Sequence, residues 1–285
     1  MGFILPPSTE IQLGFMNSKQ VPKSPEFFFK GFPEDVRFRH HTIPDSLEHA
    51  KGTLYEAWFN AIRLSPYLAE SIDSGVWRND KSREVHEQFG DVRGVSFDEW
   101  WVNRGYSLFA EGKPFSKITL EPGKGDAEGK SLTMTIPLNV SPKTLRDQFD
   151  DLLEQHHPFY KDFDRWKAST SKLPIRKSKL TSLSINIWLE VYETWVDMGG
   201  LTGSVHLYEV GEKLNLAPKH VVKRGDMPTD ITDKHQAMSL VVAEYLGKAR
   251  NLIAYASAEG WFPCVENHEW VERGTRAQHT RYRTD

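Results

Sequence analysis

This chain of 285 residues has little cysteine, no long apolar stretch and no excess of basic over acidic residues. Cys264 is the single cysteine, so no internal disulfide forms and a zinc site built on cysteines lacks ligands. No stretch approaches the ~18 apolar residues that a membrane-spanning helix needs. The amino terminus also lacks the basic start of a secretory signal. We therefore expect a cytoplasmic protein without a membrane segment.

The net charge is close to zero, and it differs between the two parts of the chain. Residues 1–160 contain 18 Lys and Arg against 23 Asp and Glu, a net charge of −5. Residues 161–285 contain 18 against 16, a net charge of +2, which gives −3 for the whole chain. A protein that binds nucleic acid through its overall charge is more basic than this. Contacts with nucleic acid would therefore have to come from local basic patches.

Hydrophobic spacing predicts a mainly helical chain. Apolar residues recur every three or four positions, the period of a helix with one buried face, at 54–64, 97–108, 142–153, 180–198 and 232–259. Ser96 and Ser141 precede two of these segments, and serine in that position caps the free N–H groups of a helix start. Gly199 and Gly260 are suited to end the last two helices.

One part of the chain has the period of a β-strand instead. Residues 131–140 alternate apolar and polar side chains, and a glycine-rich loop separates them from residues 117–121. This pattern predicts a small antiparallel β-hairpin, with Pro137 placing its second strand at a sheet edge. The fold class expected from the sequence is therefore mainly α, of the α+β type.

A polar segment at residues 168–179 divides the chain into two predicted domains. It contains Lys172, Arg176, Lys177 and Lys179, a proline and no acid. Polar, proline-containing segments of this kind are typical of domain boundaries. We predict a helical domain with the hairpin and an N-terminal arm at 1–167, a basic linker at 168–179, an all-helical domain at 180–272 and a basic tail at 273–285.

Residues 204–224 have the spacing of a helix-turn-helix. Such a unit needs a small residue where its helices cross, an apolar residue three positions on, a turn, and an apolar anchor in the second helix. Gly211, Leu214, the turn at Asn215 and Val221 occupy these places in order. Pro218 is tolerated only in the first turn of the second helix. The alternative is two short helices inside an all-helical domain.

Basic residues in and around this unit are the candidate contacts to double-stranded DNA. The predicted recognition helix presents Lys219, His220, Lys223 and Arg224, which could reach phosphates or base edges. The linker and the tail would add phosphate contacts through Arg176, Lys177, Lys179, Arg281 and Arg283. The first hypothesis is therefore a non-catalytic DNA-binding or regulatory accessory protein.

Short motifs occur in a fixed order along the chain. They are LYEAW at 54–58, LSPYL at 64–68, FGDV at 89–92, FDEWW at 97–101 and GWFP at 260–263. This order resembles a group of uncharacterised bacterial proteins found with prophages and genomic islands. The resemblance implies a mobile genetic element as the setting. None of the motifs is a catalytic signature, so no activity follows from it.

The neighbouring residues Trp100 and Trp101 suggest a second hypothesis, a protein-interaction subunit. Adjacent residues cannot both face one side of a helix, so one of the two indoles would be left for an interface. The alternative is that both pack in the core. An interface there would fit a homo-oligomer or a subunit of a mobile-element or defence complex.

A metal-dependent nuclease is the third hypothesis. Such a site needs an acid and a following Glu-x-Lys on neighbouring strands. Glu111 and Glu128 each begin a Glu-x-Lys, and Asp91 or Asp126 could supply the acid. Patterns this short also arise by chance in a chain with 26% charged residues.

Histidine-based metal sites lack ligands at suitable spacing in the sequence. His40 and His41 have no such partners, nor do Cys264 and His268. The single Glu-x-x-His that ends at His157 lacks the second copy that a di-iron bundle requires. We predict no metal site and no cofactor.

Overall fold

A computed structural model gives the fold and describes residues 27–28, 31–33, 35–36, 39–111, 136, 139, 141–157, 160–161 and 169–271. Its first helices are α1 (Ile43–Ala50), α2 (Leu54–Arg63), α3 (Pro66–Ser74), α4 (Asp80–Phe89), α5 (Phe97–Trp100) and α6 (Tyr106–Phe109). A π-helical turn at Trp101–Gly105 joins the last two. The later helices are α7 (Pro142–His156), α8 (Ser182–Asp197), α9 (Leu207–Lys213) and α10 (Pro228–Ala258), with a 3₁₀ turn at Pro218–His220.

Capping side chains explain where several helices begin. Ser96 Oγ accepts a hydrogen bond from the N–H of Glu99 at 3.2 Å, and Ser141 Oγ accepts one from Thr144 at 3.2 Å. Both predicted caps are therefore confirmed. Gly260 follows α10 with a φ of +58°, a conformation that glycine adopts without strain. The sequence therefore predicted the positions of these helix ends to within a few residues.

The predicted β-hairpin is one part of the fold prediction that is wrong. The part of the chain that the structure describes is mainly helical and contains no strand or sheet. Of the hairpin residues, 117–121 and 131–140, only 136 and 139 are among the described residues. The alternation that suggested a strand is a short pattern that includes Pro137, and proline cannot donate to a β-ladder.

Stacked aromatic side chains form the first part of the core. Tyr55 and Trp58 of α2 lie against Phe109 of α6, with ring centroids 4.6 and 5.4 Å apart. Phe28, from the segment before α1, packs on Trp101 with a centroid separation of 5.6 Å. All five side chains are buried. Burial of such large rings supplies much of the hydrophobic stabilisation of this region.

The core continues across the predicted domain boundary. Leu173 and Ile175, both in the predicted linker, are buried. Trp58 stacks on Phe262, which follows α10, with a centroid separation of 5.1 Å. A single connected cluster of buried residues includes both predicted domains. This packing gives the division at 168–179 no support.

The predicted helix-turn-helix lacks its second helix. After α9, residues 218–220 form only a 3₁₀ turn, and no helix follows until α10. A Cβ atom at Gly211 would lie 2.5 Å from Cγ of Met238 and 3.1 Å from Cγ2 of Val242, two residues of α10. Gly211 is thus the small residue at a helix crossing, but the helix that crosses is α10. The small residue that suggested a helix-turn-helix is there because α10 crosses α9 at this point. The prediction of a helix-turn-helix was therefore wrong.

The long helix α10 organises the second half of the chain. It packs against α8, α9 and α2 and buries Val242, Leu246 and Leu252. Glu244 and Lys248 lie away from the buried stripe, where they form an ion pair at 2.6 Å. Neither α10 nor any other described helix is long and apolar enough to cross a membrane.

Candidate nucleic-acid interface

Residues 172–179, which we call the basic strap, cross the surface without regular secondary structure. The chain entering the strap is fixed by the buried carboxylate of Glu111. Ser169 Oγ and the N–H of Thr170 donate hydrogen bonds to it at 2.5 and 2.7 Å. A buried carboxylate is stable only when its oxygens are paired in this way. Glu111 therefore holds the start of the strap in place.

The middle of the strap is anchored to the core and to the segment after α10. Leu173 and Ile175 are buried, and the N–H of Arg176 donates to the carbonyl oxygen of Phe262 at 2.9 Å. The guanidinium of Arg176 lies 4.8 Å from the ring centroid of Trp261, a half-exposed indole. This is a cation–π contact. The backbone of the strap is thus held at several points while its cations face outwards.

The cations of the strap have no acidic partner in the described part of the chain. Lys172, Arg176, Lys177 and Lys179 are exposed. The ion pairs among described residues include none of the four. The strap itself contains no acid. The strap therefore presents four exposed cations and no acid of its own.

The second predicted group of cations lies in a loop, residues 219–224, which we call the basic loop. Lys219, Lys223 and Arg224 are exposed there and His220 is half-buried. The N–H of Lys223 donates to Oδ2 of Asp226 at 2.6 Å, and that oxygen also pairs with Lys234 of α10 at 2.6 Å. The hydrogen bond from Lys234 lowers the pKa of Asp226. Asp226 thus pairs with Lys234, and no ion pair among the described residues includes Lys219, Lys223 or Arg224.

The structure does not bring the two basic groups together. The basic loop adjoins Lys234 near the start of α10, whereas the strap adjoins Phe262 beyond its end. The helix between Lys234 and Ala258 spans about 36 Å at ~1.5 Å per residue. Arg281 and Arg283 of the predicted tail lie outside the described residues. The described basic residues predicted from the sequence therefore form two separate patches.

The predicted interface at Trp100 and Trp101 is wrong, because both side chains are buried in the core. Trp100 Nε1–H donates to the carbonyl oxygen of Phe89 at 2.8 Å, and Trp101 Nε1–H donates to Ser46 Oγ at 2.9 Å. The two indoles do point in different directions, as adjacent helical residues must. Both faces of this helix are covered, however: α4 covers one and α1 the other. Neither indole is left for a partner.

Of the residues of the nuclease hypothesis, the structure describes Glu111 and Asp91, and both are engaged with other partners. Glu111 is occupied by Ser169 and Thr170, as described above. Asp91 lies at the surface, where Arg93 pairs with it at 2.7 Å and lowers its pKa. Asp126 and Glu128 lie outside the described residues. The structure therefore gives the nuclease hypothesis no support.

A cluster that sequence reasoning missed lies along α1, from His41 just before the helix to His49 in its last turn. His41, Asp45 and His49 each present one ligand atom, and these three atoms lie within 4.8 Å of one another. His41 Nδ1 lies 2.6 Å from Oδ2 of Asp45, and His49 Nε2 lies 3.5 Å from Oδ1. The signal was present in the sequence, since residues four apart share a helix face. It was overlooked because His41 was compared only with its neighbour in the chain.

The surroundings of the cluster are built around His41. Its ring is buried, and Nε2 lies 2.8 Å from the carbonyl oxygen of Val36. Phe32 packs edge-on against this ring with a centroid separation of 4.9 Å. Asp45 and His49 are 51% and 35% exposed, so the cluster is open to solvent on one side. Two imidazoles and a carboxylate form a group that could hold a metal ion.

Comparison with known proteins adds no relative to this description. No family model matches the chain, and neither a curated protein nor a solved structure resembles it significantly.

Proposed function

We propose that the chain is a nucleic-acid-binding accessory protein that holds duplex DNA through phosphate contacts from the basic strap. The observation that carries this proposal is the unpaired state of the strap cations among the described residues. Cations in that state can meet phosphates without giving up an acidic partner. Phosphate contacts of this kind dominate the affinity of most nucleic-acid-binding proteins.

The lysines and arginines of the segment from α1 to α4, and Arg93 just after it, are engaged with acids. Arg93 pairs with Asp73 and Asp91 at 2.6 and 2.7 Å, and Lys51 pairs with Asp98 at 2.9 Å. A phosphate would have to compete with these carboxylates. The contrast supports the strap, rather than the surface of α1 to α4, as the place where nucleic acid binds.

The anchoring of the strap also supports the proposal. A flexible basic segment loses conformational entropy when it binds, and this loss lowers its affinity. The backbone of the strap is already held by Glu111, by two buried aliphatic side chains and by the carbonyl of Phe262. Its cations are therefore presented on a fixed backbone before DNA arrives.

The proposal does not include base reading by a recognition helix. The residues expected to enter the major groove, such as Lys219 and Lys223, lie in a 3₁₀ turn and a loop. Contacts from such a loop to phosphates fix position without carrying sequence information directly. We therefore propose binding that depends on charge and shows little sequence preference. The mobile-element setting rests on the motif resemblance alone.

The test is the affinity of the purified chain for two labelled duplexes of unrelated sequence, measured by fluorescence anisotropy. At ~50 mM salt phosphate contacts are strong, so both duplexes should bind, with similar Kd values. Affinity should fall steeply as salt rises towards ~200 mM. Absence of binding to either duplex at the lower salt concentration would overturn the proposal. A large preference for one duplex would overturn the claim that base reading is absent.

A further inference from the structure

We propose that His41, Asp45 and His49 bind one divalent transition-metal ion of the zinc class. This site is separate from the basic strap and independent of nucleic-acid binding. The sequence analysis predicted no metal site, so the proposal reverses that prediction.

The hydrogen bonding of His41 is the first step of the argument. Its Nε2 lies 2.8 Å from the carbonyl oxygen of Val36, which can only accept, so Nε2 carries the ring hydrogen. In the neutral ring, Nδ1 then presents a lone pair. That lone pair faces a carboxylate oxygen of Asp45 at 2.6 Å. Two acceptors this close require a positive charge between them.

His49 supplies the third ligand that lets a metal ion take the place of a proton as that charge. A proton on His41 would satisfy one contact, between His41 and Asp45. His49 Nε2 lies 3.5 Å from the other carboxylate oxygen, too far for a good hydrogen bond. Zinc ligands lie ~2.0–2.2 Å from the ion, which places neighbouring ligand atoms roughly 3.3 Å apart in a tetrahedral site. The three ligand atoms need only small rotations of the half-exposed Asp45 and His49 to reach this arrangement.

The contacts around the cluster match those of a metal site. A histidine ligand usually donates its second ring N–H to a carbonyl or carboxylate, which fixes the ring orientation. Val36 plays that role for His41, and Phe32 supports the ring from the side. Asp45 and His49 open the site to solvent, so a metal ion can enter and a water molecule can complete its coordination. The ion would join the segment before α1 to the helix itself.

The experiment uses the full chain, stripped of metal with a chelator and titrated with ZnCl₂ by isothermal titration calorimetry. We expect one ion per chain and a rise in Tm with added zinc, because a ligand that binds only the folded state stabilises it. His49→Ala and Asp45→Asn should each raise the Kd for zinc by more than about 100-fold. This expectation is a lower bound, since loss of even an outer hydrogen-bond partner costs about 10–100-fold.

The control is His156→Ala, which removes an exposed histidine of α7. It should leave the stoichiometry and the Kd unchanged. Circular dichroism of the metal-free variants separates a lost ligand from a lost fold, because the folded His49→Ala protein should still fail to bind zinc. Two results would overturn the proposal: no zinc binding by the wild-type chain, or folded His49→Ala and Asp45→Asn variants that bind zinc with the affinity of the wild-type chain. The first result would identify the bridging charge as a proton on His41.

Discussion

Gly211 of α9 and Met238 of α10 are in such close contact that a Cβ atom on the glycine would lie 2.5 Å from the methionine Cγ. Met238 is fully buried, and Val242 closes the other side of the contact. Neither neighbour can move into solvent to make room. The approach of the two helices therefore depends on the absence of a side chain at position 211.

The first prediction is that Gly211→Ala lowers the free energy of unfolding by about 1–2 kcal/mol. Overpacking costs about 1–3 kcal/mol, and a contact of 2.5 Å with a buried side chain belongs in the upper part of that range, above the ~1 kcal/mol that alanine gains over glycine in a helix. Gly247→Ala in α10 is the matched control, because a Cβ atom there meets nothing within 4 Å. It should raise stability by about 0.4–1 kcal/mol. Urea denaturation of the two variants measures both effects, and a stable Gly211→Ala variant would contradict the observed packing.

The second prediction concerns Trp101 as a core residue. Trp101→Ala should lower the free energy of unfolding by about 3–5 kcal/mol, the usual cost of removing a fully buried large side chain. Ser46→Ala, which leaves the indole N–H of Trp101 without its acceptor, should cost about 1–3 kcal/mol. Leu183→Ala is the control, since Leu183 is 71% exposed and its loss should change stability by under ~0.5 kcal/mol. If Trp101→Ala kept the stability of the wild type but no longer bound a protein partner that the wild type binds, the result would support an interface at Trp101 instead.

The third prediction is a fall in stability as the pH drops below ~6.5, the pKa of a free histidine. Burial lowers the pKa of His268, whose Nδ1 accepts a hydrogen bond from the N–H of Trp270 at 3.1 Å. The unfolded chain therefore binds a proton at a higher pH than the folded chain, and acidification favours unfolding. Burial lowers the pKa of His86 as well, in the same direction. Urea midpoints at pH 7.5 and 5.5 measure the loss of stability.

The variant His268→Gln tests the source of this pH dependence. It removes one of the two titrating groups, so the difference between the two midpoints should shrink and remain above zero. The exposed His156 supplies the comparison, because His156→Gln should leave the difference as it is in the wild type. An unchanged difference in His268→Gln would show that the pH dependence originates elsewhere.

Local signals in the sequence predicted the helices well and their partners poorly. Ser96 and Ser141 cap helices as predicted, because a cap depends only on residues a few positions away. The role of Gly211 depends on Met238, more than twenty residues later in the chain. A glycine at a helix crossing has the same appearance whichever helix crosses it. The sequence alone therefore suggested the nearest following segment, rather than α10, as the helix that crosses at Gly211.

The candidate sites show the same division between local and distant information. The unpaired cations of the strap could be recognised because the segment itself contains no acid. The anchoring of the strap by Glu111 and Phe262 could not be predicted, since both are remote in sequence. His41, Asp45 and His49 were within reach of a spacing argument. The hydrogen bond from His41 to Val36, which makes them a metal-site candidate, required the structure.

The central claim is that the basic strap holds DNA phosphates, and the salt dependence of the Lys177→Ala/Lys179→Ala variant tests it most directly. Each phosphate contact contributes about 0.9 to the slope of log K against log salt concentration. Loss of two contacts should therefore reduce the magnitude of the slope by about 1.8. The matched control is Lys51→Ala/Lys81→Ala, which removes two lysines that already pair with acids at the surface. We predict a reduced slope and weaker binding in the first variant and wild-type values in the second; equal slopes in both variants would contradict the account.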